Sequence, residues 1–222
     1  MKLLRILFSD RRAGSAAEFA LVLPLLLIFL IGIIDVGRLL WTINRVEKAT
    51  QMGVRYAIVT TPIPAKLSNL SASKVSGVGL TDSSGKILTN GDSLDQYDMG
   101  RFTYSIAGNA LETAAPTCQY TAPATSCNFL GNISTDSFDA IYNWMKNFLP
   151  ELKRKNIEIS YSNSGLGYAG DPTGRDFYPI VTVSVKNLAF QPRSLAVFGT
   201  SFTLRTISAA LTMEDGQGSA SN

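Results

Sequence analysis

Sixteen consecutive uncharged residues separate Glu18 from Asp35, and the surrounding stretch, residues 14–41 (GSAAEFALVLPLLLIFLIGIIDVGRLLW), restricts the possible folds more than any other part of the chain. At ~1.5 Å rise per helical residue the uncharged run covers about 24 Å, short of a hydrocarbon core of roughly 30 Å. Counted from Phe19 to Trp41, a helix covers about 34 Å, which is enough to cross. That longer span puts Asp35 and Arg38 in the far interfacial zone. They lie one turn apart on one face and neutralise each other as a membrane-interface pair, with Arg38 snorkelling and Trp41 at headgroup depth. A buried core helix is the competing reading, but runs this apolar seldom stay inside a soluble domain of this size.

Glu18 is the unusual residue. A carboxylate at the start of a span costs about 2.5–3.5 kcal/mol if dragged to mid-bilayer and less near the interface. It either rests at the headgroup boundary without a role or has a dedicated partner.

Charge is unevenly spread. Residues 1–59 carry eight Lys/Arg against four Asp/Glu, whereas residues 60–222 carry twelve against thirteen. The basic balance therefore belongs to the apolar end and does not describe a nucleic-acid surface. Lys2, Arg5, Arg11 and Arg12 precede the span, and Arg45, Lys48 and Arg55 follow it. The bias favours a cytoplasmic N-terminus. A cleaved secretory signal would end its apolar core in an A-x-A-like site, but here the small residues come before the run, in RRAGSAAEF.

The chain has no histidine. That removes the commonest general base, the Ser-His-Asp and Cys-His arrangements and nearly every zinc site. Two cysteines cannot complete a tetrahedral structural site, and no cofactor or metal is expected. The chain is read as a non-enzyme.

Basic residues, then small residues, then Glu-Phe opening an apolar helix is the layout of type IV pilin-like precursors. More closely, RRAGSAAEFALVLPLLLIFLIGIIDVGRLLW resembles the TadE-like family, pseudopilins of the tight-adherence (Flp/Tad) pilus. The Ala-Ala-Glu-Phe-Ala entry, Pro24, the exit Asp35-x-Gly37-Arg38 and the following ATQMGVRYA carry the resemblance, which covers about the first quarter of the chain. It implies cutting by a prepilin peptidase among Ala13, Gly14 and Ser15. A cut after Gly14 makes Glu18 the fourth mature residue. A cut after Ala13 makes it the fifth, with Ala where the family has Gly. It also implies assembly through Glu18 and Phe19, the acid pairing with a neighbour's freed amine. The implied partners are the peptidase, other pilins or pseudopilins and the inner-membrane assembly platform, with the C-terminal domain periplasmic and possible entry into a surface pilus.

Beyond the span, Ile43, Val46, Thr50, Gly53 and Ala57 recur at three- and four-residue steps, so the helix is expected to continue from Ala16 to Val59 and to end at Pro62 and Pro64. Pro24 should kink or locally unwind it. The amphipathic half needs a cover, from its own C-terminal domain or from partner helices. Three segments result: a leader (1–14), the helix (15–60) and an extracytoplasmic α+β domain (61–222).

Within that last segment, residues 65–100 read as short strands (74–80 and 86–88) between turns at Ser84-Gly85 and Asn90-Gly91. Ser71/Lys74 and Ser83/Lys86 match a penicillin-binding Ser-x-x-Lys pattern but lack its other elements. Asp82, Asp92, Asp95 and Asp98 lack calcium-loop spacing. Cys118 and Cys127 should close a disulfide in an oxidising compartment. Residues 134–149 form the best soluble helix, capped by Ser134 or Asp136, with Phe138, Ile141, Met145, Phe148 and Leu149 as its stripe. Gly165, Gly167 and Gly170 match G-x-G-x-x-G, but a turn-rich sequence follows where a helix should begin. Strands at 101–108, 157–164, 178–188 and 201–215 complete an antiparallel sheet packed on helices, an α+β fold, and the tail 216–222 is expected to be disordered. The functional expectation is a structural subunit of pilus biogenesis. An anchored extracytoplasmic ligand-binding module is the alternative, and an anchored hydrolase comes third.

Overall fold

The computed structural model describes residues 11–67, 86–87, 89–96, 100–107, 113–121, 127–170, 176–194 and 199–213. Helix α1, Arg11–Val59, is 49 residues long and contains Pro24. It starts earlier than the expected Ala16, because the Ala-rich segment before Glu18 has high helix propensity. Pro24 removes the N–H that would meet the carbonyl of Ala20, yet the helix runs through it without the unwinding expected. Helix α1 ends where Thr60 donates both its N–H and its hydroxyl to the carbonyl of Tyr56, at 3.2 and 2.9 Å, just ahead of Pro62.

The chain divides into two compact units. The first consists of α1 up to Ile43 and the segment Ala189–Thr203. Here residues 14–31 are exposed throughout. A two-stranded ribbon, β5 (Ala189–Phe190) with β6 (Phe202–Thr203), pairs Phe190 with Phe202.

The second unit runs from Asn44 to Leu188 and resumes at Leu204. Its sheet is built from β1 (Arg101–Ser105), β2 (Thr117–Thr121), β3 (Ile157–Ser162), β4 (Ile180–Val185) and β7 (Ile207–Thr212), in the order β2-β1-β3-β4-β7. Every pairing is antiparallel. Period-2 alternation decides which face is buried. Phe102 and Tyr104, Ile157, Ile159 and Tyr161, and Val181, Val183 and Val185 are cross-strand neighbours, and all are buried. The Tyr161 hydroxyl accepts the N–H of Ile63 at 3.2 Å, and its ring meets that of Tyr104 edge-on at 5.9 Å. Burial pushes both phenols well above the usual tyrosine range.

Helix α2, Thr135–Lys146, is capped by Ser134, whose hydroxyl accepts the N–H of Ser137 at 3.1 Å. Phe138, Ile141 and Met145 are fully buried on its apolar stripe. The amphipathic half of α1 is covered by its own unit: Val46, Ala49, Thr50, Val54 and Ala57 are buried, and Tyr56 stacks on Trp144 at 5.2 Å. A Cβ on Gly53 would stand 2.7 Å from Met145, so this glycine allows α1 its close approach to α2. Cys118 on β2 is bonded to Cys127, which opens a 3-10 turn, Cys127–Leu130. Arg154 is buried, donates to Asp139 at 2.7 Å and to the carbonyl of Ala114 at 3.1 Å, and lies over the Phe138 ring.

Two strand expectations need correcting. The run expected at 201–215 is two strands, 202–203 and 207–212, because residues 204–206 carry the chain from pairing with β5 to pairing with β4. Strands β2 and β5 were not anticipated; each has no clear alternation to announce it. The proposed strand 74–80, the Ser84-Gly85 turn, Ser71, Lys74, Ser83, Asp82, Asp98 and the tail 216–222 lie outside the described residues.

Candidate functional site

Two acids in α1 occupy opposite environments. Glu18 is exposed in an exposed stretch of helix and, among the described residues, has no ion pair. The residues one turn away on its face (Gly14, Ser15, Leu21 and Val22) carry no charge. Phe19 beside it is 64% exposed. The junction expected for processing, at Ala13, Gly14 and Ser15, lies within the helix, and Gly14 and Ser15 are exposed.

Asp35 is only 6% exposed. Arg38 pairs with it at 3.0 Å, at the i,i+3 spacing. The carboxylate also takes two backbone donors: Oδ1 accepts the N–H of Arg193 at 2.8 Å and Oδ2 accepts the N–H of Ser194 at 2.6 Å. A carboxylate gripping two successive amides with both oxygens is a directional clamp, and charge-assisted bonds of this kind are about twice as strong as neutral ones. Arg38 then reaches over the Phe190 ring, 5.4 Å from its centroid. Phe190 is buried and packs against Phe202 at 5.3 Å. The hydroxyl of Thr42 bonds the carbonyl of Arg38 at 2.8 Å, fixing the next turn.

Sequence reasoning found the Asp35–Arg38 spacing but missed Arg193, Ser194 and Phe190. Pro192 and Gly199, flanked by apolar residues on both sides, were the signal of a reversing ribbon there.

Among the described residues, the remaining motifs hold no assembled chemistry. Gly165, Gly167 and Gly170 all adopt positive φ in a loop, and a Cβ on Gly167 would sit 2.2 Å from the carbonyl oxygen of Asp176. Residues 176–179 lead into strand β4 and form no helix N-terminus that could hold a phosphate. Lys86 pairs with Asp92 at 2.7 Å. Among the described residues no cluster of acids and cysteines is arranged to hold a metal. An open cleft of about 470 Å³ at one end of the sheet is lined by Ser105, Gln119, Lys155, Asn156 and Lys186. Two of its polar side chains are already engaged: the Asn156 amide donates to the carbonyls of Lys186 and Asn187, and Lys186 pairs with Glu158.

No curated protein and no solved structure matches the chain. Residues 14–55, about a fifth of the chain, match the model of the TadE-like protein family. The match opens at Gly14 and takes in Glu18, Phe19, Pro24 and the Asp35–Arg38 pair. The segment that carries the long apolar helix is a TadE-like region.

Proposed function

We propose that this protein is a membrane-anchored, non-enzymatic structural component of tight-adherence pilus biogenesis, a minor pseudopilin that assembles through its N-terminal helix. The observation that carries this reading is an overlap: the TadE-like match, residues 14–55, contains the exposed apolar run of α1 from Phe19 to Ile31. A helix this apolar and this uncovered is unstable in water and needs lipid or neighbouring helices.

In this reading residues 1–14 are a cytoplasmic leader, α1 crosses the inner membrane, and residues 61–222 form the periplasmic domain. The disulfide between Cys118 and Cys127 supports an oxidising compartment for that domain. A prepilin peptidase cuts at Ala13–Gly14 or Gly14–Ser15. The freed amine of one subunit then pairs with Glu18 of the next, so the carboxylate is better stabilised among neighbours than in lipid. Other pilins and the assembly platform are the partners.

The test is the mature N-terminus, read as intact mass of protein extracted from membranes with and without the peptidase. A peptidase-dependent loss of thirteen or fourteen residues is expected, and names the bond. A chain that keeps its full leader under both conditions overturns the pseudopilin route and leaves a permanently anchored binding module as the better reading.

A further inference from the structure

We propose that the β5–β6 ribbon is a membrane-surface element: Asp35 clamps it to α1 at the outer headgroup layer, where it contacts phospholipid headgroups. The inference rests on α1 being a membrane anchor, and goes beyond it by giving the ribbon a depth and a partner.

The argument begins with the clamp. Bonds from the amides of Arg193 and Ser194 to the two oxygens of Asp35 fix the chain at one level of the helix. Polar backbone outside regular structure does not occur against lipid inside the hydrocarbon. The hydrocarbon boundary therefore falls at or before Asp35. On other sides of α1, however, apolar surface continues past that level: Val36, Leu40 and Trp41 are all exposed, Trp41 by 62%. These reach about 9 Å further along the axis. Phe202 on the ribbon is itself 43% exposed. An all-aqueous setting would leave this apolar set wet, and an all-hydrocarbon setting would strand Arg193 and the Asp35–Arg38 pair.

The headgroup layer satisfies both. It is where tryptophan rings concentrate and where arginine stems snorkel. Arg38 is half-exposed over Phe190, and Arg193, whose amide the clamp uses, is exposed. Guanidinium groups at that depth match phosphate oxygens in geometry and charge. The occupant is thus a phospholipid headgroup, presented by the same bilayer that α1 crosses.

The experiment uses the full chain in phosphatidylcholine vesicles, with brominated lipids as depth-dependent quenchers of tryptophan. The chain has two tryptophans. Trp144→Phe leaves Trp41 as sole reporter, and Trp41→Phe/Trp144→Phe/Phe202→Trp moves the reporter to the ribbon. We expect bromines near the top of the acyl chain to quench the reporter at position 202 at least twice as strongly as bromines near the chain end. Quenching there by aqueous iodide alone overturns the proposal. Adding Asp35→Asn should abolish the shallow quenching at position 202 while Trp41 remains quenched; no change would remove Asp35 as the clamp. Arg193→Glu should weaken the shallow quenching about twofold, and an unaltered signal would strike out the phosphate contact. If Trp41 escapes every brominated lipid, the anchor reading fails instead, so the two failures are distinguishable.

Discussion

Helix α1 is one continuous helix with two unlike halves. Residues 14–31 are exposed on every side, whereas Val46, Ala49, Thr50, Gly53, Val54 and Ala57 bury one stripe. The difference comes from how apolar residues are spread and not from how many there are. A uniformly apolar cylinder offers no preferred face, so no single domain surface satisfies it, and lipid or several helices must. A striped helix needs one partner, and here the chain supplies it in α2 and the sheet. Propensity contributes little to this contrast, because both halves are helical; packing separates them.

The contrast breaks first under deletion of a large side chain. Phe138→Ala, in the core under the striped half, should cost about 3–5 kcal/mol. Phe29→Ala, on the exposed half, should leave the stability of the sheet unit unchanged. Urea unfolding of the full chain in detergent micelles, followed by the circular dichroism of the sheet, checks both. Equal losses would mean that the exposed half is held by the domain after all. Next in size is the disulfide. Cys118→Ser with Cys127→Ser should cost about 2.5 kcal/mol, since the closed loop is short. Reduction of the native protein in the same assay should give a similar loss.

Two glycines sharpen the comparison. Gly53→Val pushes a branched side chain into Met145, whose Cγ and Sδ already stand 2.7 Å from the Cβ position. A cost of about 1–3 kcal/mol is expected, because overpacking displaces neighbours even when they are flexible. Gly37 has open space at the same position, so Gly37→Ala should be neutral or slightly favourable for the helix. If Gly53→Val proves neutral, Met145 moves freely and the close approach of the helices is incidental.

Much of this was legible in the sequence because it follows from periodicity. The apolar run, the stripe from Val46 to Ala57 and the alternating strands β3 and β4 could all be located in advance, and the cap of α2 was narrowed to Ser134 or Asp136, of which Ser134 serves. The antiparallel sheet with a long apolar helix is the fold class that was expected. The illegible parts depend on contacts distant along the chain. Asp35 reads locally as half of an ion pair with Arg38; its other donors lie 158 and 159 residues away, and backbone amides carry no side-chain signature. Strand β2 was hidden for a similar reason. Its TCQYT is mostly polar and gains its place from pairing with β1 and the bond to Cys127. Pro24 leaves the helix continuous because its cost is local, one lost hydrogen bond in a 49-residue helix.

Alkaline pH should reach the sheet unit alone. Tyr104 and Tyr161 are held protonated by burial, so their folded-state pKa values lie above the unfolded value of about 10. The sign follows: their neutral forms favour the folded state below that value, and the contribution is lost as pH rises past it. Absorbance at 295 nm should show two of the eight tyrosines ionising only together with loss of sheet structure. Free ionisation of all eight before unfolding would mean that the core opens to water.

The smallest effect expected on the isolated chain is at Glu18, and it distinguishes a folding role from an assembly role. Its face is uncharged one turn in either direction and it has no ion pair among the described residues. Glu18→Gln should therefore shift the urea midpoint of the sheet unit by less than ~0.5 kcal/mol equivalent. If the acid serves assembly, the same substitution should sharply reduce chemical cross-linking between copies, or to other pilins, in membranes. The spacing gives a reason for that sensitivity. A ribbon clamped at Asp35 in the outer headgroups leaves about 26 Å of helix back to Glu18, less than the roughly 30 Å of hydrocarbon. The carboxylate then falls slightly inside the inner leaflet, where an opposite charge from a neighbour relieves its burial and water does not. Asp35→Asn, which releases the ribbon, should let the helix slide and bring the Glu18 carboxylate nearer to water, so it should partly lower cross-linking on its own and add little in the Glu18→Gln background. Fully additive losses would show that Glu18 and Asp35 act independently.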